Sequence, residues 1–234
     1  MIIKVSGMRE ARNIREVSAL GIDMIGFDFY PSSERFVQMV SSQAGIIPDY
    51  SRERFRKVSK LGEKPAELIP AEVYRTGVFI DDMPQTIISR VYNYSLNYVQ
   101  LNGEESEVMI DNLKRSLVPD IVPDIKVIKS LDIHSAADFA QCKHYEGSAD
   151  LFIFNVDGVS KILEKNNGGI ALIEAYTGNI PFLLGGNVVP DDAKAVGLLR
   201  HPQFAGVDLN EQFEVSVGVK DVERLQKFIA SVKQ

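Results

Sequence analysis

The residues able to do chemistry in this chain stand at the ends of short apolar runs. Ser6 closes the run Ile2-Ile3-Lys4-Val5 and is followed by Gly7. A strand that ends in a small polar residue and a glycine presents its hydroxyl for nucleophilic or proton-transfer work. A serine hydroxyl is a poor base at neutral pH unless a partner activates it. Lys4 lies two residues back, so it shares a strand face with Ser6 and can polarise it. No histidine offers itself as an alternative partner. Further runs deliver Asp28 to Arg35, Asp81-Asp82, Gln100 to Gly103 and Lys126 to Ser130. Asn155 to Gly158, Gly185-Gly186-Asn187 and Asp208-Leu209-Asn210 complete the set. Carboxylates in these positions can carry protons or form ion pairs. Asn102, Asn155 and Asn187 can only hydrogen-bond. Glycines at a strand end let backbone N–H groups approach an anion.

The elements that must position these residues are legible as apolar runs rich in β-branched and aromatic types. They span 2–6, 23–30, 74–81, 97–103, 124–131, 150–156, 180–186 and 203–210. Such runs suit strands buried on both faces. Helical spacing lies between them. Ala11, Ile14, Val17 and Leu20 share one face ahead of Gly21. A helix is expected over 135–147, with Ser135 as N-cap and Gly147 as terminator. Another starts at Pro190-Asp191 and ends before Pro202, and the chain closes with Val222, Leu225, Phe228, Ile229 and Val232 on one face. Eight strands alternating with helices predict an α/β fold, a single (β/α)8 barrel over 1–234. An open doubly wound sheet is the competitor, but its Gly-rich first turn is not present. Residues 41–72 are too many for a minimal connection between the second and third strands. They predict an extended segment with an insertion, solvated or acting as a lid.

Composition bounds the partners. The 234 residues carry 26 basic and 32 acidic side chains, a formal charge of −6. No nucleic-acid surface is expected from that balance. No apolar run reaches the roughly 20 residues that cross a bilayer, and no signal peptide is expected, so the location predicted is cytoplasmic. Cys142 is the single cysteine, which fits a reducing compartment. Cys142, His134, His144 and His201 lack metal-ligand spacing, so neither a metal nor another cofactor is expected.

Taken in order, "IIKVSGMRE", "IGFDFYPSSERFV", "TGVFIDD", "VQLNGEE", "PFLLGGNVVPDDAKAV" and "GVDLNEQFEVSVGVKDVERLQKFI" resemble the phosphoribosylanthranilate isomerases of tryptophan biosynthesis. The resemblance covers nearly the whole chain. It implies an Amadori rearrangement of N-(5-phosphoribosyl)anthranilate, in which an acid protonates the ring oxygen and a base takes the C2 proton. It implies a small phosphorylated substrate, no cofactor and a monomer or homodimer.

The family's base, a cysteine, falls on Ser6, and its acid, an aspartate, falls on Asn155. Asp157 is a candidate replacement acid. By the same resemblance Arg35 holds the anthranilate carboxylate. Gln100, Asn102, Gly186, Asn187, Asp208 and Asn210 line the substrate site. Asn102 replaces a histidine common in the family. The phosphate loop after the sixth strand keeps only Gly168-Gly169, Asn187 replaces a glycine, and Glu211 replaces a small hydroxyl residue. A carboxylate beside a phosphate opposes its binding. Asp28 stands where the family is usually apolar, as a ligand contact or a partner for Arg35. Three functions stay open: an isomerase with replaced proton carriers, a non-catalytic paralogue binding a metabolite or partner at the barrel mouth, and a barrel with a different reaction.

Overall fold

The structure, a computed structural model, describes residues 1–37, 39–42, 45–48, 69–118, 121–163 and 171–233, with 39–42 and 45–48 as backbone. Eight parallel strands close into a barrel. They are β1 (Ile2–Val5), β2 (Met24–Asp28), β5 (Tyr74–Phe79), β6 (Tyr98–Leu101), β7 (Lys126–Asp132), β8 (Leu151–Val156), β9 (Phe182–Gly186) and β10 (Phe204–Leu209). β1 lies between β10 and β2, and the remaining neighbours follow chain order. The eight predicted runs are these eight strands, so the open doubly wound sheet is excluded.

Alternation along the strands builds the interior in layers. Met24, Ile128, Leu151, Ile153 and Leu183 are buried in one apolar cluster, with Ile2, Tyr98 and Ala205 packed against it. Two residues further along β1 and β6 the inward positions become Lys4 and Gln100, both buried. The barrel therefore has an apolar floor and a polar layer above it. The outward strand faces carry Ile3, Val5, Phe27, Phe79, Val99, Phe152 and Phe154, which join the larger core beneath the helices.

The helices bury the stripes that their spacing predicts. α1 (Ala11–Ser18) buries Ile14 and Val17. α2 (Pro84–Tyr94) begins with proline, whose missing N–H is no loss there. α3 (Glu107–Leu117) is capped by Ser106, whose hydroxyl accepts from the Met109 N–H at 3.3 Å. α4 (Val159–Leu163) and α5 (Ala193–Leu198) are short. α6 (Val222–Val232) buries Leu225, Phe228, Ile229 and Val232 behind an Asp221 cap.

Two expectations need correction or limits. Residues 136–145 form a 3₁₀ helix rather than an α-helix. One Asp138 oxygen accepts from the backbone N–H groups of His134 at 2.9 Å and Ser135 at 2.7 Å. The entry is thereby wound tightly, and the segment turns Phe139 and Cys142 inward. Of the 41–72 segment, an antiparallel pair is described, β3 (Met39–Ser42) with β4 (Gly45–Pro48). Residues 43–44 and 49–68 lie outside the described residues, and so does the Gly168-Gly169 loop.

Candidate active site at the barrel mouth

A cavity of about 490 Å³ opens at the C-terminal ends of the strands. Ser6, Gln100, Asn102 and Asn155 line it, and so do Gly186, Asn187, Asp208 and Asn210. The strand-end reading thus gathers eight predicted residues in one place. Arg35 and Asp157 are not among the lining residues. Tyr30, Val78 and Gln212 line the cavity without having been singled out as contacts. Val78 was legible as an inward position of its strand. Gln212 follows Asn210 on a 3₁₀ turn (Glu211–Phe213) that no local pattern announces.

The register of β1 with β10 sets Lys4 beside Asp208. The Lys4 Nζ stands 2.9 Å from Asp208 Oδ2 and also donates to Ser6 Oγ. The Ser6 hydroxyl in turn donates to Asp208 Oδ1 at 2.6 Å. Gly26 makes room for this triad, because a Cβ there would come within 2.8 Å of Ser6 Oγ. The expectation that Lys4 reaches Ser6 is met. Lys4 donates to the serine oxygen, however, so it withdraws electron density from the atom that would act as base. Asp208 is the triad's proton acceptor.

Asn155 Nδ2 donates to Asp132 Oδ1 at 3.0 Å, a pair set by the β7–β8 register. Its amide can offer no proton for transfer. Asp157 is exposed and turned to Lys161, at 3.1 Å. The hydrogen bond and charge of that ammonium hold it below the usual carboxylate range. The side chain thus faces Lys161, outside the cavity lining.

Arg35 is occupied. Its Nε and Nη2 each lie 2.8 Å from Glu214, one on each carboxylate oxygen, and Nη1 lies 3.4 Å from Glu211. Glu214 also accepts from Lys220 Nζ at 2.6 Å, and Lys220 reaches Asn210 Oδ1 at 2.8 Å. Burial works against the charge on Glu214, but the hydrogen bonds from Arg35 and Lys220 hold it below the usual carboxylate range. Asp28 does not pair with Arg35 in this arrangement. Its Oδ2 accepts from Ser33 at 2.7 Å, and burial raises its pKa above the ordinary 3.8 despite that bond. A carboxyl held toward its neutral form at a cavity wall suits a general acid.

The end of β9 turns on a glycine. Gly186 keeps a φ of +76°, and a Cβ there would meet the Val156 carbonyl oxygen at 2.7 Å, so glycine is required. Asn187 beside it spends its amide on the Asp157 carbonyl at 3.1 Å and on Gln212 at 2.9 Å. Glu211 and Asp208 stand on the same rim. Among the described residues, no group of three or more His, Cys, Asp or Glu side chains is arranged to hold a metal.

Three comparisons with known proteins identify the family of the chain. The family model for N-(5'-phosphoribosyl)anthranilate isomerase matches residues 32–231. A Parabacteroides distasonis protein of that name is 34% identical over 232 residues, covering 99% of this chain and 93% of its own. One from Phocaeicola vulgatus is 31% identical, covering 100% and 98%. A Thermus thermophilus phosphoribosyl anthranilate isomerase structure superposes with a TM-score of 0.71 at 21% identity, over 100% of this chain and 98% of that one. Another, solved with reduced 1-(o-carboxyphenylamino)-1-deoxyribulose 5-phosphate, gives 0.69 at 24%, over 100% and 99%. With the family model spanning most of the barrel and both relatives aligned along nearly the full chain, this protein belongs to the N-(5'-phosphoribosyl)anthranilate isomerase family.

Proposed function

We propose that this chain is a divergent paralogue of phosphoribosylanthranilate isomerase that binds a small polar molecule at the barrel mouth and isomerises N-(5'-phosphoribosyl)anthranilate slowly. The observation that carries this reading is the engagement of both proton-carrier positions. Ser6 is fixed between Lys4 and Asp208, and Asn155 is an amide held by Asp132. Loss of one positioned proton carrier costs about 10²–10⁴ in rate. The changed rim, with Asn187 and Glu211, weakens the hold on a phosphate as well.

A residual route is favoured by one specific arrangement. Asp208 can take a proton relayed through Ser6, while Asp28, held toward its neutral form by burial, can supply one. That route needs no cofactor. It predicts measurable but slow turnover that Asp28→Asn abolishes. In this reading the protein works in the cytoplasm as a monomer or homodimer.

The test is turnover of N-(5'-phosphoribosyl)anthranilate by the purified chain. The expected kcat/KM lies about 10² or more below the ordinary enzyme range of 10⁴–10⁸ M⁻¹s⁻¹. A value inside that range overturns the reading.

A further inference from the structure

The outer wall of the barrel holds a second cavity, of about 340 Å³, that shares no lining residue with the mouth. It lies between the 3₁₀ helix over 136–145 and the chain that follows a short 3₁₀ turn (Leu172–Ala175). Ligand sites usually span about 300–1,000 Å³, so this one suits a small molecule.

The winding of 136–145 decides what faces the cavity. In a 3₁₀ helix the side chains at i and i+3 eclipse. Phe139 and Cys142 therefore form one column, and both are buried. Ala140 and Lys143 form the next column, on the exposed side. Glu146 continues it, because the backbone there holds φ −59° and ψ −26°. All five line the cavity. An α-helix over the same residues would set Lys143 and Glu146 about 60° apart around its axis.

The first column is an apolar inner wall. The Phe139 ring centroid lies 5.7 Å from that of Tyr176, which also lines the cavity. Tyr176 spends its hydroxyl on the Ile180 carbonyl at 2.7 Å. Burial pushes the Cys142 thiol up to about 12, so it is uncharged at neutral pH.

The second column is charged. Lys143 and Glu146 are the only charged groups among the described lining residues. Neither forms an ion pair with another described residue. One 3₁₀ turn, about 6 Å, separates them along the axis. A lone anion entering here would meet Glu146, and a lone cation would meet Lys143. A molecule that carries both charges beside an apolar group answers both columns at once.

We infer that this cavity binds a free α-amino acid with an apolar side chain. Its carboxylate pairs with Lys143 and its ammonium with Glu146. Its side chain enters between Phe139, Cys142 and Tyr176.

The experiment is calorimetric titration of the full chain with L-phenylalanine, N-acetyl-L-phenylalanine, L-phenylalaninamide and L-serine. L-phenylalanine is expected to bind about tenfold or more tighter than L-serine, which buries no apolar group. It is expected to exceed each derivative by about threefold or more, the scale of an exposed ion pair. Lys143→Met is expected to erase its advantage over the amide, and Glu146→Gln its advantage over the N-acetyl form. Ala140→Trp, which fills the cavity from an exposed position, is expected to abolish binding. Thermal unfolding in parallel verifies that the variants fold. Equal binding of L-phenylalanine and both derivatives overturns the inference, as does no binding of L-phenylalanine at tens of millimolar. Unchanged preferences in Lys143→Met and Glu146→Gln overturn it too, and so does full binding by Ala140→Trp, which would put the amino acid elsewhere. None of these outcomes bears on the rate of isomerisation at the mouth.

Discussion

Asp28 and Lys4 are two polar residues of the barrel interior with opposite predicted effects on stability. Burial raises the Asp28 pKa from 3.8, so the folded state binds a proton that the unfolded state releases. Its contribution to stability is therefore full below pH 3.8 and is lost as pH rises through the raised folded value. Asp28→Asn keeps an acceptor for Ser33 and removes that loss. The variant is expected to melt a few degrees higher than wild type at pH 7, at roughly 2–4 °C per kcal/mol for a chain of this size, with the difference vanishing near pH 3.5. Lys4→Met behaves in the other direction. It leaves Asp208 buried without its 2.9 Å partner, which costs about 3–5 kcal/mol. The double variant with Asp208→Asn recovers part of that cost in a denaturant titration. The Lys4–Ser6 relation was legible in the sequence, because period two fixes which side chains share a strand face. The Asp208 contact and the Asn155–Asp132 pair were not. Each depends on the register between strands, and no single strand's sequence encodes that.

At the scale of elements, the loop after β2 is tied to the segment after β10. Arg35 reaches Glu214 at the start of β11 (Glu214–Ser216), and Lys220 reaches it from β12 (Val219–Lys220). These two short strands form a clasp beside the mouth. Glu214 is held below the ordinary 4.5 by its two partners. Its stabilising contribution is thus full above pH 4.5 and is lost as pH falls through the lowered folded value. Glu214→Gln leaves the buried Lys220 and the half-buried Arg35 facing each other without their shared carboxylate. It is expected to cost about 3–5 kcal/mol at pH 7, and progressively less as the pH is lowered below 4. Urea titrations at pH 7 and pH 3.5 check this. The barrel strands and the faces of α1 and α6 were readable because periodicity alone decides them. The 3₁₀ winding of 136–145 was not, since the same Ser135-to-Asp138 spacing also suits an α-helical cap. The family motif marked Arg35 as a ligand residue, but the motif does not record its bonds to Glu214.

The whole molecule combines a closed barrel scaffold with a polar mouth. The closed eight-strand barrel, the apolar floor and the family match over 32–231 account for the fold. Ser6, Asn155, Asn187 and Glu211, which the sequence reading set apart from the family pattern, stand at strand ends that line the cavity. Substitution there leaves the barrel's apolar burial intact, so on the proposed reading the scaffold tolerates a slowed reaction. Restoring the chemistry should then need few changes. In Asn155→Asp the new carboxyl stands where the amide now lies 3.0 Å from Asp132. Two carboxylates that close share a proton, which raises one pKa toward the range a general acid needs. Ser6→Cys supplies a thiol at the base position.

The most direct measurement is turnover of N-(5'-phosphoribosyl)anthranilate at saturating substrate by wild type and by the Ser6→Cys/Asn155→Asp variant, side by side. The account predicts a slow wild type and a gain of about 10² or more in kcat for the double variant. A wild type already turning over at ordinary enzyme rates, with no gain in the double variant, would contradict it.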